Sequence, residues 1–397
     1  MKFKITFITL FLGVITLSQS QESIKPTKFG KGIFNIVGKD STFSMKIGAR
    51  FQFLSTTMMQ DGENPETSFL VRRARLKFDG FAYSPKLTYK LELGLSNRDL
   101  GGASVYSGYG SRMILDAVLK YNFYKNFVVW GGQTKLPGNR ERVISSANLQ
   151  QVDRSLLNAK FTLDRDVGFQ LRHHFTLFNN FIVRESFALS QGEGRNIITG
   201  NLGGHQYTGR IELLPFGKFT GKGDYSGSDL KREPTPKLSL ASSYDHNNNA
   251  VKTRSNQGSY METDYGYFET NINTLFVDAM FKYNGFSFMA EYAKRNAKDP
   301  IAKNSDGTET GDIVQVGTGL NFQSGYLFKK NWEISGRFSN VKLDENITGK
   351  VPENQYTLGL SKFIVGHKLK VQTDVSYIDS SFLSDTVMWR LQFDIHF

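Results

Sequence analysis

In the stretch Arg73-Ala74-Arg75-Leu76-Lys77-Phe78-Asp79, every second side chain is charged and the ones between are apolar. A strand turns successive side chains to opposite faces, so this segment has one ionic face and one greasy face. A helical period does not fit a spacing of two. Two architectures can hold such a strand. In a soluble sheet the greasy face packs into a core and the cations are solvated. In a membrane barrel the greasy face meets lipid and the cations line a water-filled interior.

The pattern recurs along the chain. Phe43, Met45, Ile47, Ala49, Phe51 and Phe53 share one face, opposite Ser44, Lys46, Gly48, Arg50 and Gln52. Leu87, Tyr89, Leu91 and Leu93 alternate with Thr88, Lys90 and Glu92, and further segments follow to the last residue. About sixteen strands of roughly ten residues are expected, the length that crosses a bilayer at a tilt, with short and long connections taking turns. No apolar run reaches the ~18 residues a spanning helix needs.

Two features favour the barrel. Lys2 and Lys4 precede the apolar run Ile5–Leu17, and Ser18-Gln19-Ser20-Gln21 follows, which predicts a signal peptide over residues 1–20 and export of the remainder. At the other end Val387, Trp389, Leu391, Phe393, Ile395 and Phe397 alternate with Met388, Arg390, Gln392, Asp394 and His396. A barrel needs its final strand to close against its first, whereas the last residues of soluble domains are usually frayed. The expected organisation is a leader over 21–42 and an all-β transmembrane antiparallel barrel over 43–397. Residues 138–165 lack strand alternation and carry Arg140, Arg142, Arg154 and Arg165; a fold-back into the barrel and an exposed outer loop are both open.

The formal charge is +12 and there is no cysteine, which excludes disulfides and thiol chemistry. An exported chain with no recognition module points the cations toward anionic solutes or lipid head groups, not nucleic acid. The six histidines are scattered without metal-ligand spacing, so no metal or cofactor is expected, and no enzyme motif is legible. Asn304-Ser305-Asp306-Gly307-Thr308-Glu309 with Asp312 is better read as a solvated outer loop than as a calcium site.

Several motifs in order resemble the phosphate-selective porin O/P family, in a style similar to its Bacteroidota branch. They are Gly48-Ala49-Arg50-Phe51-Gln52, Arg72-Arg73-Ala74-Arg75, Asp116 before Lys120-Tyr121, and Gly132-Gln133-Thr134-Lys135-Leu136-Pro137-Gly138. Asp153-Arg154-Ser155, Arg165-Asp166-Val167-Gly168 and Gly366-His367-Lys368-Leu369-Lys370 complete the set. The resemblance implies a 16-stranded, usually trimeric outer-membrane barrel with a loop folded into the channel. Anions such as phosphate would follow an arginine ladder to a lysine-bearing constriction. Arg50, Arg72 and Arg73 resemble ladder positions, and Asp116 the acidic residue that tempers the constriction. Arg154 falls on the infolded loop. Lys77, Lys90, Lys120 and Lys135 are the constriction candidates, and Arg75 and Arg165 belong to the same candidate anion pathway. Arg72 has the opposite parity to Arg73 and Arg75, so a rim or bulge position is expected for it. For each Arg, a salt bridge that only braces the wall, with Asp79, Glu92, Asp116 or Glu212, is the competing role. The alternative for the whole chain is a plugged, non-conducting barrel whose outer loops bind a partner.

Overall fold

The computed structural model describes residues 28–101, 104–380 and 385–397. The expected signal peptide and the first part of the leader lie outside the described residues. Sixteen antiparallel strands close into a barrel in which each pairs with its neighbours in sequence. They are β1 (Phe43–Gln60), β2 (Glu66–Ala82), β3 (Ser84–Gly94), β4 (Ile114–Tyr124), β5 (Phe127–Lys135), β6 (Arg165–Thr176), β7 (Ile182–Ser190) and β8 (Gln206–Leu214). The second half comprises β9 (Lys237–Ala250), β10 (Thr270–Tyr283), β11 (Phe286–Ala297), β12 (Gly317–Leu327), β13 (Trp332–Leu343), β14 (Glu353–Phe363), β15 (Leu369–Ser380) and β16 (Thr386–His396).

Closure is made where the sequence placed it: β16 pairs with β1 from Arg50↔His396 to Gln60↔Thr386. The lower part of β1 extends past β16, and a short strand in the leader, Phe34–Val37, pairs with Ser44–Ile47 there. It covers an edge that would otherwise present unpaired amides.

The apolar faces point outward. Phe51, Leu119, Phe169 and Leu358 are 47, 55, 66 and 65% exposed, while their polar neighbours Arg50, Gln52, Gln170 and Thr357 are buried inside. A solvent-facing shell of this kind would aggregate; a lipid-facing one is the low-energy arrangement. Tyr124, Phe178, Phe216, Tyr283, Phe328 and Trp332 are also exposed and sit at the short-turn end, as an interfacial aromatic girdle does. Asn284-Gly285, both at positive φ, makes the two-residue turn between β10 and β11.

Two connections bear most on the barrel's interior. Residues 136–164, between β5 and β6, contain two short helices that periodicity did not predict, α1 (Arg140–Val143) and α2 (Leu156–Phe161). This segment hydrogen-bonds inward side chains of many strands. Arg50 on β1 reaches Ser146 Oγ at 2.6 Å, and Gln150 Nε2 reaches Ser287 Oγ on β11 at 2.8 Å. Gln150 also accepts from Gln323 on β12 at 2.7 Å and, through its carbonyl, from Gln372 on β15 at 2.7 Å. Leu157, Phe161 and Leu163 bury against Phe276, Ala293, Val341 and Leu343, the inward apolar positions of the second half. Room for them comes from missing side chains. A Cβ on Gly319 would lie 2.9 Å from the Phe161 ring, and one on Gly325 2.2 Å from Gln150 Nε2.

Residues 215–236, between β8 and β9, break the expected alternation of connections: this long segment lies at the short-turn end. It too bonds to inward side chains. Lys282 Nζ donates to the carbonyls of Gly223, Ser226 and Ser228 at 2.8, 2.9 and 2.7 Å. Ser228 Oγ donates to Glu333 on β13 at 2.6 Å. The two segments touch where Gly227 N donates to Asn148 O at 2.8 Å.

Candidate functional site

The contacts of 136–164 and 215–236 fall mainly on β9–β16, and a cavity of about 930 Å³ remains along the wall of β2–β8. Its lining extends from Arg98 and Arg195 in long-loop connections to Lys218 and Lys222 in the segment at the opposite end. Sixteen Arg or Lys side chains and six carboxylates line it, so its walls carry a large cationic excess.

The second strand supplies the first group. The β1–β2 register shifts between Gln52↔Arg73 and Phe53↔Val71, leaving Arg72 as the extra residue of a bulge. A bulge puts two neighbouring residues on one side of a strand. Arg72 therefore joins Arg73 in the cavity despite its parity, and its Nη2 lies 3.0 Å from Asp153 Oδ2. The expected bulge is present; inward placement is what alternation alone could not give. Arg73 donates to Gln52 Oε1 at 2.5 Å and lies 3.7 Å from Asp153. Arg75 grips Asp99 with two bonds of 2.6 Å and reaches Glu92 at 3.0 Å.

Asp116 is the centre of a second group. Lys90 Nζ lies 2.6 Å from it and 2.6 Å from Glu92. Arg165 donates to its two oxygens at 3.1 and 3.2 Å, and Thr134 Oγ1 donates at 3.0 Å. Lys135 is held otherwise: its ammonium donates to the carbonyls of Arg142 and Ile144 at 2.7 and 3.2 Å. Arg154 donates to the carbonyls of Glu141 and Ile144 at 2.9 and 3.0 Å. Burial, partly offset by Glu141 and Asp153, brings Arg154 down to about 10, so it stays charged at neutral pH. Burial disfavours the Asp153 anion, but Arg72 and Arg73 outweigh it and hold that carboxyl below its ordinary range.

Two candidates lie apart from the cavity lining. Arg50 forms a short ion pair with Asp394 at 2.6 Å beside the β1–β16 closure. Lys77 pairs with Asp79 at 2.7 Å. Lys120 does line the cavity, against the ring of Trp130. Sequence reading passed over Arg98, Arg172, Arg184, Arg195, Lys218 and Lys222, which also line this cavity. Inward parity marks Arg172 and Arg184, but nothing in a loop sequence marks the others. Wall bracing also occurs: Arg210 binds Asp278 at 2.7 Å and Glu212 at 2.9 Å, and the fully buried Arg140 binds Asp278 at 2.8 Å.

Among the described residues, no group of three or more His, Asp or Glu could hold a metal ion. In the outer loop, Asp306 caps the amide and hydroxyl of Thr308 at 2.9 and 2.6 Å.

Residues 45–382 match the phosphate-selective porin O and P family. The chain belongs to that family. It is a porin of the outer membrane, spanning it as a multi-pass β-barrel. Solved structures share the fold at low identity. The anion-selective porin from Comamonas acidovorans is 11% identical with a TM-score of 0.55, over 89% of this chain and 100% of that one. The DcaP channel of Acinetobacter baumannii is 11% identical, TM-score 0.53, over 90% and 99%. A loop L8 deletion mutant of OmpT from Vibrio cholerae is 9% identical, TM-score 0.54, over 90% and 100%. No curated protein matched the sequence. Porins of this architecture keep short turns on the periplasmic side, which makes 215–236 a periplasmic segment and 136–164 a connection from the outer side.

Proposed function

We propose that this porin is a passive diffusion channel for anions, with phosphate-type oxyanions as its solutes, and that the cavity along β2–β8 is the pathway. The observation that carries the reading is the excess of sixteen cations over six carboxylates around one cavity. Fixed cations in a narrow, low-dielectric passage concentrate anions and repel cations, and guanidinium groups match paired oxygens of a phosphate. In this reading 138–165 is the constriction loop, pressing Arg142 and Arg154 toward Arg73, Arg75 and Arg165. The Comamonas porin of the same fold is anion-selective, which agrees with this reading.

We also assign a homotrimer in outer-membrane lipid, by analogy with OmpT of Vibrio cholerae, solved in a trimer form. Mass measurement of the detergent-solubilised protein checks that assignment. A specific observation keeps a second reading in view: segments from both ends meet inside the barrel at Asn148 and Gly227, as a plug would. Flux separates the two. Vesicles containing the purified protein should release radiolabelled phosphate much faster than rubidium. Equal retention of both would favour the plugged barrel, and faster rubidium loss would overturn anion transport.

A further inference from the structure

Charge is divided unevenly between the two ends of the barrel. In the leader and the short-turn-end connections, among the described residues, ten lysines are exposed against one exposed carboxylate, Asp40. Asp224, Asp229 and Glu233 in those connections are buried. The long connections at the other end carry the reverse, with eleven exposed carboxylates against four exposed Arg or Lys. Of the ten lysines, Lys218 and Lys222 line the cavity, so the pathway leaves the other eight without a role.

Where these cations sit decides what they meet. Lys125 Nζ lies 5.1 Å from the ring centroid of Tyr124, and Lys362 Nζ 5.1 Å from that of its cross-strand partner Trp332. Both rings are exposed members of the girdle. Lys362 Nζ also donates to the carbonyl of Lys330 at 2.7 Å, which ties β14 to the turn between β12 and β13. In that turn Lys329 and Lys330 directly follow Phe328, another girdle ring. Among the described residues, the lysines held by carboxylates are Lys77, Lys90 and Lys160; Lys125, Lys329, Lys330 and Lys362 are not. Girdle aromatics mark the depth of the lipid head groups. An ammonium held on such a ring keeps its charge and lies at the level of the head-group phosphates. A soluble acidic partner would not select cations stacked on lipid-facing rings. We propose that the periplasmic rim of the barrel binds anionic phospholipid head groups, with Lys329, Lys330 and Lys362 around Trp332 as one such site. The site follows from the barrel's place in the membrane, and it stands whether or not the passage conducts anions.

The test uses the full-length protein in lipid vesicles and compares quenching of indole emission by brominated phosphatidylglycerol and brominated phosphatidylcholine. Subtracting the signal of Trp332→Phe isolates the contribution of Trp332. Phosphatidylglycerol should be preferred beside Trp332 by about fivefold or more, the scale of one lysine near an anionic lipid surface. The combined Lys329→Gln, Lys330→Gln and Lys362→Gln variant should lose that preference. The corresponding three Lys→Arg changes should keep it, and salt at about 1 M should lower it. Equal quenching by the two lipids in the parent, or a preference that survives the three glutamines, overturns the site. Binding of soluble polyglutamate by the detergent-solubilised parent, lost in the glutamine variant and accompanied by no lipid preference, would overturn it in favour of a soluble acidic partner.

Discussion

Asp153 shows how single residues set the balance of the cavity. It is the carboxylate that Arg72 and Arg73 share, and it comes from the inserted segment, not from the wall. Removing its charge releases two cations into the pathway. Asp153→Asn should therefore raise the anion-to-cation permeability ratio, by roughly twofold or more, in reversal-potential measurements. An unchanged or lower ratio would mean that these arginines lie off the conducting path. Parity in the sequence brought Arg73, Arg75, Lys90 and Lys120 inward correctly, because side-chain direction in a strand is a local property. It could not foresee that Arg72 turns inward, since a bulge depends on the partner strand's register. Nor could it pair Asp99 with Arg75 or Asp153 with Arg72, because those carboxylates sit in loops without a period.

At the scale of elements, the inserted segments are seated by absence and by charge. Gly319 and Gly325 on β12 leave the space that Phe161 and Gln150 occupy, and a strand glycine announces nothing about what lies over it. Gly319→Leu should overpack this contact, at a cost of about 1–3 kcal/mol, and loosen α2. Limited proteolysis should then cut between residues 145 and 160 in the variant while sparing the parent barrel. Arg140 anchors the start of the same segment on Asp278 and Glu212 with no exposure to solvent. Arg140→Gln leaves those carboxylates to Arg210 and Arg184 and should lower stability by about 3–5 kcal/mol in urea titrations in lipid vesicles. Nothing in the sequence of 215–236 announced its position at the short-turn end, its bonds to Lys282 or its contact with Asn148. Replacing residues 218–233 by a short Gly/Ser turn should increase single-channel conductance. A conductance equal to the parent's would remove this segment from the passage.

For the whole molecule, the sequence carried the architecture almost entirely: strand number, closure of β16 on β1, and the outward greasy faces all follow from a period of two repeated along the chain. What it could not carry is how much of the interior is filled, because inward apolar positions such as Phe276 and Val341 look like lapses in the pattern until α2 is laid on them. The resulting passage is one-sided, with an ion-rich wall facing inserted chain. Under the proposed function its selectivity is electrostatic and should weaken as salt shortens the Debye length from about 10 Å at 0.1 M to about 3 Å at 1 M. The most direct test of the central claim is the zero-current potential of the purified protein in a planar bilayer under a tenfold potassium chloride gradient. A cation-excess pathway predicts a potential of the sign set by chloride crossing faster than potassium. A potential of the opposite sign, or one indistinguishable from free diffusion, would contradict it.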